Sequence, residues 1–207
     1  MNDVSVVPTA LKQLDDCRMA PASISVSVAE NCAATIVEVV SSLAATYQST
    51  LASGTLWWYV AGIDGKASIR YPNITLATYQ THHWAYWITF VMQIRQLRED
   101  YPCLREKDIL LNGQEPESDT VSEKLLELST RIFESIDYFL QNEMKLYGAF
   151  SAAFPFQTAC HFLKTAGDGN KRVSCAYTRA LEMVINKGFQ DILANEENPF
   201  NYPQPTA

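Results

Sequence analysis

The chain has 207 residues, of which 47% are hydrophobic and 11% aromatic, enough to bury a substantial core and to exclude disorder over most of its length. Its 23 acidic residues against 16 lysines and arginines leave a formal charge of -7, which repels a phosphate backbone at long range and argues against direct nucleic-acid binding by the surface as a whole. The five cysteines are scattered without a CxxC pair, a pattern of reduced, mostly buried thiols and not of a disulfide scaffold.

Residues 1–22 carry Pro8 and Pro21 among polar residues and read as a loosely packed N-terminal segment, with a short helical turn around Leu11 and Leu14. The first twenty residues have no basic region followed by an apolar block, so no secretory signal is expected there. From Glu30, an apolar stripe of Ile36, Val39 or Val40, Leu43, Tyr47 and Leu51 predicts a helix that stops near Gly54. The aromatic run Leu56 to Val60 and the glycines 62 and 65 after it fit either a minor hairpin or a helix edge followed by an ordered loop. The second is preferred, because one hairpin does not make a sheet.

Between Pro72 and Pro102, residues recur at roughly helical spacing through Leu76, Tyr79, His83, Tyr86 or Trp87, Phe90, Ile94 and Leu97, predicting a long central helix. Polar groups interrupt its apolar stretch, and no segment is expected to span a membrane. Asn73-Ile74-Thr75 is a sequon, read as chance in a chain expected inside a cell, in nucleus or cytoplasm. A surface connection with turns at Gly113 and Pro116 follows. Thr120 and Glu123 then form a capping box for a helix from about 121 to Tyr147. In that helix Ile132, Ile136, Phe139 or Leu140, and Met144 recur at helical spacing, while Arg131, Glu134, Asp137, Gln141 and Lys145 mostly occupy other faces. Small residues Gly148, Ala149, Ala152 and Ala153 permit a close backbone crossing, and Pro155 starts the next helix. A last helix over 171–187 ends at Gly188, with Phe189, Ile192 and Leu193 as a short docking extension and 195–207 as a tail. The expected fold is all-α: one irregular or antiparallel helical bundle over residues 23–194, with five or six principal helices.

No stretch announces a reaction. His82 and His83 are adjacent and diverge on a helix, and His161 beside Cys160 lies in apolar surroundings, so neither a metal site nor a cofactor is expected. The aromatic segments offer the better ligand reading: Trp57, Trp58, His83, Tyr86, Trp87 and Arg95 could line a pocket, against the plainer alternative that they are core. Trp57 and Trp58 could instead meet a protein partner or a second copy of the chain.

The stretch RIFESIDYFLQNEMKLYGAFSAAFPFQTACHFL, residues 131–163, followed by YTRALEMVINKGF, resembles the C-terminal half of the fungal binuclear zinc-cluster transcription factors. That family often has Ile-Cys-x-Ser-x-x-Tyr; Ile132, Ser135 and Tyr138 match, with Phe133 in place of the cysteine. Its Gly then Phe-Pro-Leu-x-x-Ala pattern is met by Gly148, Phe154, Pro155 and Ala159, with Phe156 in place of the leucine, and Tyr86-Trp87 is similar to an upstream family segment. The family's six-cysteine module, which binds two zinc ions and reads DNA, has no counterpart in this sequence. The resemblance therefore implies a helical regulatory or effector-sensing domain acting through a protein partner, with a small-molecule effector and without zinc-cluster DNA binding. An enzyme that recruited an aromatic pocket on the same scaffold is the alternative.

Overall fold

The structure is a computed structural model and describes residues 26–52, 54, 56–61, 67–106, 115–166 and 171–189, with Thr9, 12–14 and Asp16. It is all-α, an irregular helical bundle with one minor two-stranded sheet. In chain order the elements are α1 (Val26–Ala52), β1 (Trp58–Ala61), β2 (Ala67–Arg70), α2 (Ile74–Asp100), α3 (Asp119–Phe139), α4 (Lys145–Ala166) and α5 (Lys171–Asn186). They divide into two compact units, Met1–Gly54 with Thr89–Lys124, and Thr55–Ile88 with Leu125–Ala207. The turn at 62–66, the connection at 107–114, the break at 167–170 and the expected docking residues Ile192 and Leu193 lie outside the described residues, as does the tail.

In the first unit, α1 buries Ala29, Cys32, Ala33, Ile36, Val39, Val40 and Leu43, one face at helical spacing. Contrary to expectation, this helix does reach the length and apolarity of a membrane span over Val26–Thr50, where Glu30 and Glu38 are the only charged residues. Residues 12–14 and Asp16 are helical and Leu14 is buried, so the expected turn near Leu14 is present. The C-terminal part of α2 contributes Phe90, Val91, Ile94 and Leu97, and a 3-10 turn over Pro102–Glu106 adds buried Leu104.

In the second unit, the aromatic run forms a strand, not a helix edge. Trp58 pairs with Arg70, Tyr59 with Ile69, Val60 with Ser68 and Ala61 with Ala67, antiparallel. Aromatic and β-branched side chains suit this pleated, half-buried surface. A two-stranded hairpin is marginal alone, so it needs anchorage. Ile69 is fully buried, and α3 ties down the second strand: Ser68 Oγ donates to Asp137 Oδ2 at 3.0 Å and Arg70 Nη2 donates to the same oxygen at 2.8 Å.

Helix ends account for three further differences. Asn73 caps α2, its Oδ1 accepting from the Leu76 amide at 2.9 Å, so the sequon asparagine has a structural task. At the start of α3 the cap is Ser118, whose Oγ accepts from the Val121 amide at 3.4 Å, two residues before the expected Thr120. The expected helix from 121 to Tyr147 is two segments: α3 stops at Phe139, a 3-10 turn spans Asn142–Met144, and α4 begins at Lys145, whose φ is 50°. The small residues Gly148, Ala149, Ala152 and Ala153 lie in the first turns of α4, not between two helices. A Cβ on Gly148 would overlap the Phe139 carbonyl oxygen, so only glycine lets α4 pass the end of α3. Pro155 therefore lies within α4 instead of starting a helix. The C-terminus of α5 is as expected: Gly188 at φ 77° donates to Ile185 O at 2.9 Å, and Phe189 donates to Val184 O at 3.1 Å, a Schellman pair.

Candidate functional site

In the second unit, α3 presents Arg131, Glu134 and Asp137 one turn apart, and all three engage the hairpin or α5. Arg131, ion-paired with Glu127, places its guanidinium 4.9 Å from the centroid of the Trp57 ring and 5.8 Å from that of Trp84. Trp57 meets Trp84 edge-on at 6.2 Å and Tyr59 at 5.3 Å. This is a packed cation–aromatic stack, which explains why Trp57 turns inward while Trp58 remains 44% exposed.

One turn on, Glu134 is buried, although the helical pattern sets it off the apolar stripe. Its Oε1 accepts from Arg172 Nη2 of α5 at 3.3 Å, and its Oε2 is buried with no hydrogen-bond partner. Burial, and then the nearby Glu134 charge, push the Tyr59 phenol up. The same carboxylate raises the Arg172 guanidinium. Glu134 and Arg172 line a cleft of about 240 Å³ with Ala67, Phe133, Cys175 and Arg179, where Arg179 Nη1 also donates to Ala67 O at 2.8 Å. The wall presents the Glu134–Arg172 pair and the Arg179 side chain, which is held on Ala67 O, beside apolar Ala67, Phe133 and Ala176.

The six residues expected to line a pocket are not gathered in one place. Trp57 belongs to the stack and Trp58 to the exposed strand. His83 is 7% exposed, lies beside Tyr79 at 6.4 Å, and burial lowers its pKa to about 4. Tyr86 packs on Phe154 at 5.2 Å, which also meets His82 at 5.6 Å, and Trp87 is buried. Arg95 belongs to the first unit. There Arg95 Nε donates to Pro116 O and Nη2 to Ser122 Oγ, both at 2.9 Å; burial lowers its pKa against the opposing charge of Glu117. It lines a cleft of about 450 Å³ with Arg98 and Arg105. Arg98 is buried and spans Glu115 at 3.1 Å, Glu117 at 2.5 Å and Arg105 O at 3.1 Å, so this cleft is laced by ion pairs that hold the chain at 115–117 onto α2.

Sequence reasoning missed Glu134, Arg172 and Arg179 as a group, and they carry the better site. The one available cue was the row Arg131, Glu134, Asp137 along α3; its partners lie 38 and 67 residues away, beyond local pattern. The thiols divide evenly where described: Cys32 and Cys160 are buried, while Cys103 and Cys175 are exposed on the 3-10 turn and on α5, which corrects the mostly buried expectation. Among the described residues no group of three or more His, Cys, Asp or Glu side chains is placed to hold a metal ion. No family model matches the chain, and no curated protein or solved structure matches it.

Proposed function

We propose that this chain is a regulatory, effector-sensing protein that binds a small molecule in the α3–α5 cleft and passes its state to a protein partner. The observation that carries the reading is the buried Glu134 carboxylate, whose Oε2 lacks a hydrogen-bond partner at the wall of a 240 Å³ cleft. A buried charged oxygen left unsatisfied costs more than it returns to stability, so a ligand that satisfies it gains binding energy. Tyr59 supplies the route outward: the Glu134 charge acts on its phenol, and its side chain is half-exposed on β1, next in the chain to the half-exposed Trp58 on the other face of the strand. A ligand on Glu134 alters the strand whose aromatic side chains a partner would meet. The resemblance to the helical region of fungal zinc-cluster regulators supports the regulatory assignment, and the charge of -7 supports action without direct nucleic-acid binding.

Native mass spectrometry of the chain purified from its own cells, combined with amide NMR during titration with a mixed fragment panel, tests this. The expected result is a small-molecule adduct lost in Glu134→Ala and retained in Trp58→Ser, with shifts at Cys175 and Ala176. A chain that carries no adduct and shows no shift at those amides ends the effector reading.

A further inference from the structure

We infer that the outward face of α4 is a self-association surface, on which a second copy of this chain packs antiparallel about a two-fold axis at Phe150. The helix divides into two sides. Gly148, Ala152, Pro155, Ala159 and Phe162 are buried, and the opposite side carries Leu146 and Tyr147, each 62% exposed, and Phe150, 74% exposed. Among the described residues no large apolar side chain is more exposed than these three, and they sit within two turns of one helix. At the roughly 150–250 Å² that one aromatic side chain buries, the three expose roughly 400 Å² together, the size of patches that mark interaction sites on soluble proteins. The face shares no residue with the α3–α5 cleft or with β1, so it does not depend on the effector reading.

The order of the side chains selects the occupant. Leu146, Phe150 and the half-buried Phe154 follow one another at four-residue spacing, and Tyr147 and the half-buried Ala153 lie three residues to either side of Phe150. From Phe150 the stripe therefore meets a large apolar residue one turn away in both directions, which is what an isologous contact requires. In an antiparallel pair centred on Phe150, Leu146 falls opposite Phe154 and Tyr147 opposite Ala153, so a large side chain meets a small one and the helices approach closely. Beyond Phe154 the stripe turns polar at Gln157, His161 and Lys164, so the apolar length is one that two copies cover in full. Charge at the rim favours no other occupant. Glu143 is offset by Lys145, and Lys187 is held on Asn142 Oδ1 at 2.8 Å, which leaves little field to select a charged peptide or an anionic membrane. With roughly 400 Å² from each copy, the contact belongs to the weak, reversible class of interfaces.

Sedimentation velocity of the full chain, taken to about 0.5 mM because a contact of this size is weak, tests the inference. The chain should pass from monomer to dimer as concentration rises, and added salt should strengthen the dimer, since two copies at -7 repel each other. Phe150→Glu should weaken it at least about thirtyfold, as expected for a residue at the centre of an interface, with an unchanged melting curve because that side chain lies outside the core. Tyr147→Glu should also weaken the dimer, and adding Ala153→Lys to the same chain should restore it, since the two positions face each other across the axis. A chain that stays monomeric throughout, a dimer indifferent to Phe150→Glu, or a double variant that does not recover overturns the proposal. So does a monomer that dimerises only once residues 190–207 are removed, which would give the face to the chain's own C-terminal segment. A monomer that sediments with phosphatidylcholine vesicles through Phe150 would give it to a membrane and overturns the proposal too.

Discussion

Arg131 shows what one residue does to the site's surroundings. Its guanidinium covers Trp57 and Trp84 and is held by Glu127, so the hairpin's inner aromatic is clamped by charge as well as by burial. Arg131→Ala should cost about 1–2 kcal/mol in urea denaturation, and Arg131→Lys should recover only part, because an ammonium lacks the planar face that stacks on a ring. His83 gives a second test. Burial lowers its folded pKa to about 4 from an unfolded value of 6.5, so the unfolded chain takes up the proton first as pH falls. The stability from keeping His83 neutral is complete above pH 6.5 and is lost progressively between 6.5 and about 4, amounting to about 2 kcal/mol lost at pH 5. His82, also lowered by burial, acts in the same direction. His83→Phe should flatten the dependence between pH 7 and pH 5, and an NMR titration placing the His83 pKa above 6 would contradict this account.

At the scale of elements, the helices were legible because burial imposes a 3.6-residue period, kept by α1 from Ala29 to Leu43 and by α5 at Val173, Ala180 and Val184, whereas α2 is buried on most sides through its middle. Their ends were less so, since capping depends on which oxygen reaches which amide. Asn73→Ala should lower the melting temperature through a loss of about 1 kcal/mol, while Asn73→Ser should restore most of it. The break between α3 and α4, marked by the 3-10 turn at 142–144 and the positive φ of Lys145, was not read from the helical spacing across 131–147, and the approach of Gly148 to the Phe139 carbonyl gives its physical reason. Gly148→Ala should destabilise by about 3 kcal/mol or more, because backbone and not a flexible side chain must move, and a thermal shift within a degree of wild type would refute the close crossing. The hairpin was misjudged for a related reason. Residues 58–61 and 67–70 have only four residues each, too short for local preference to decide, and their state is set by Asp137 of α3 holding Ser68 and Arg70.

At the scale of the whole molecule, the charge of -7 leads to an expectation independent of any site: no retention of double-stranded DNA in a mobility-shift assay at about 0.15 M salt, where long-range attraction is already screened. The sequence by itself determined the helical class, the central span between Pro72 and Pro102 and the glycine-ended last helix. Each follows from composition or from a period that burial writes into neighbouring residues. The tertiary structure alone decided that Glu134 is inside, that Trp57 lies under Arg131 and that Arg172 and Arg179 flank one cleft. Those facts join residues separated by dozens of positions, and the energy of satisfying a buried charge depends on what folding brings beside it.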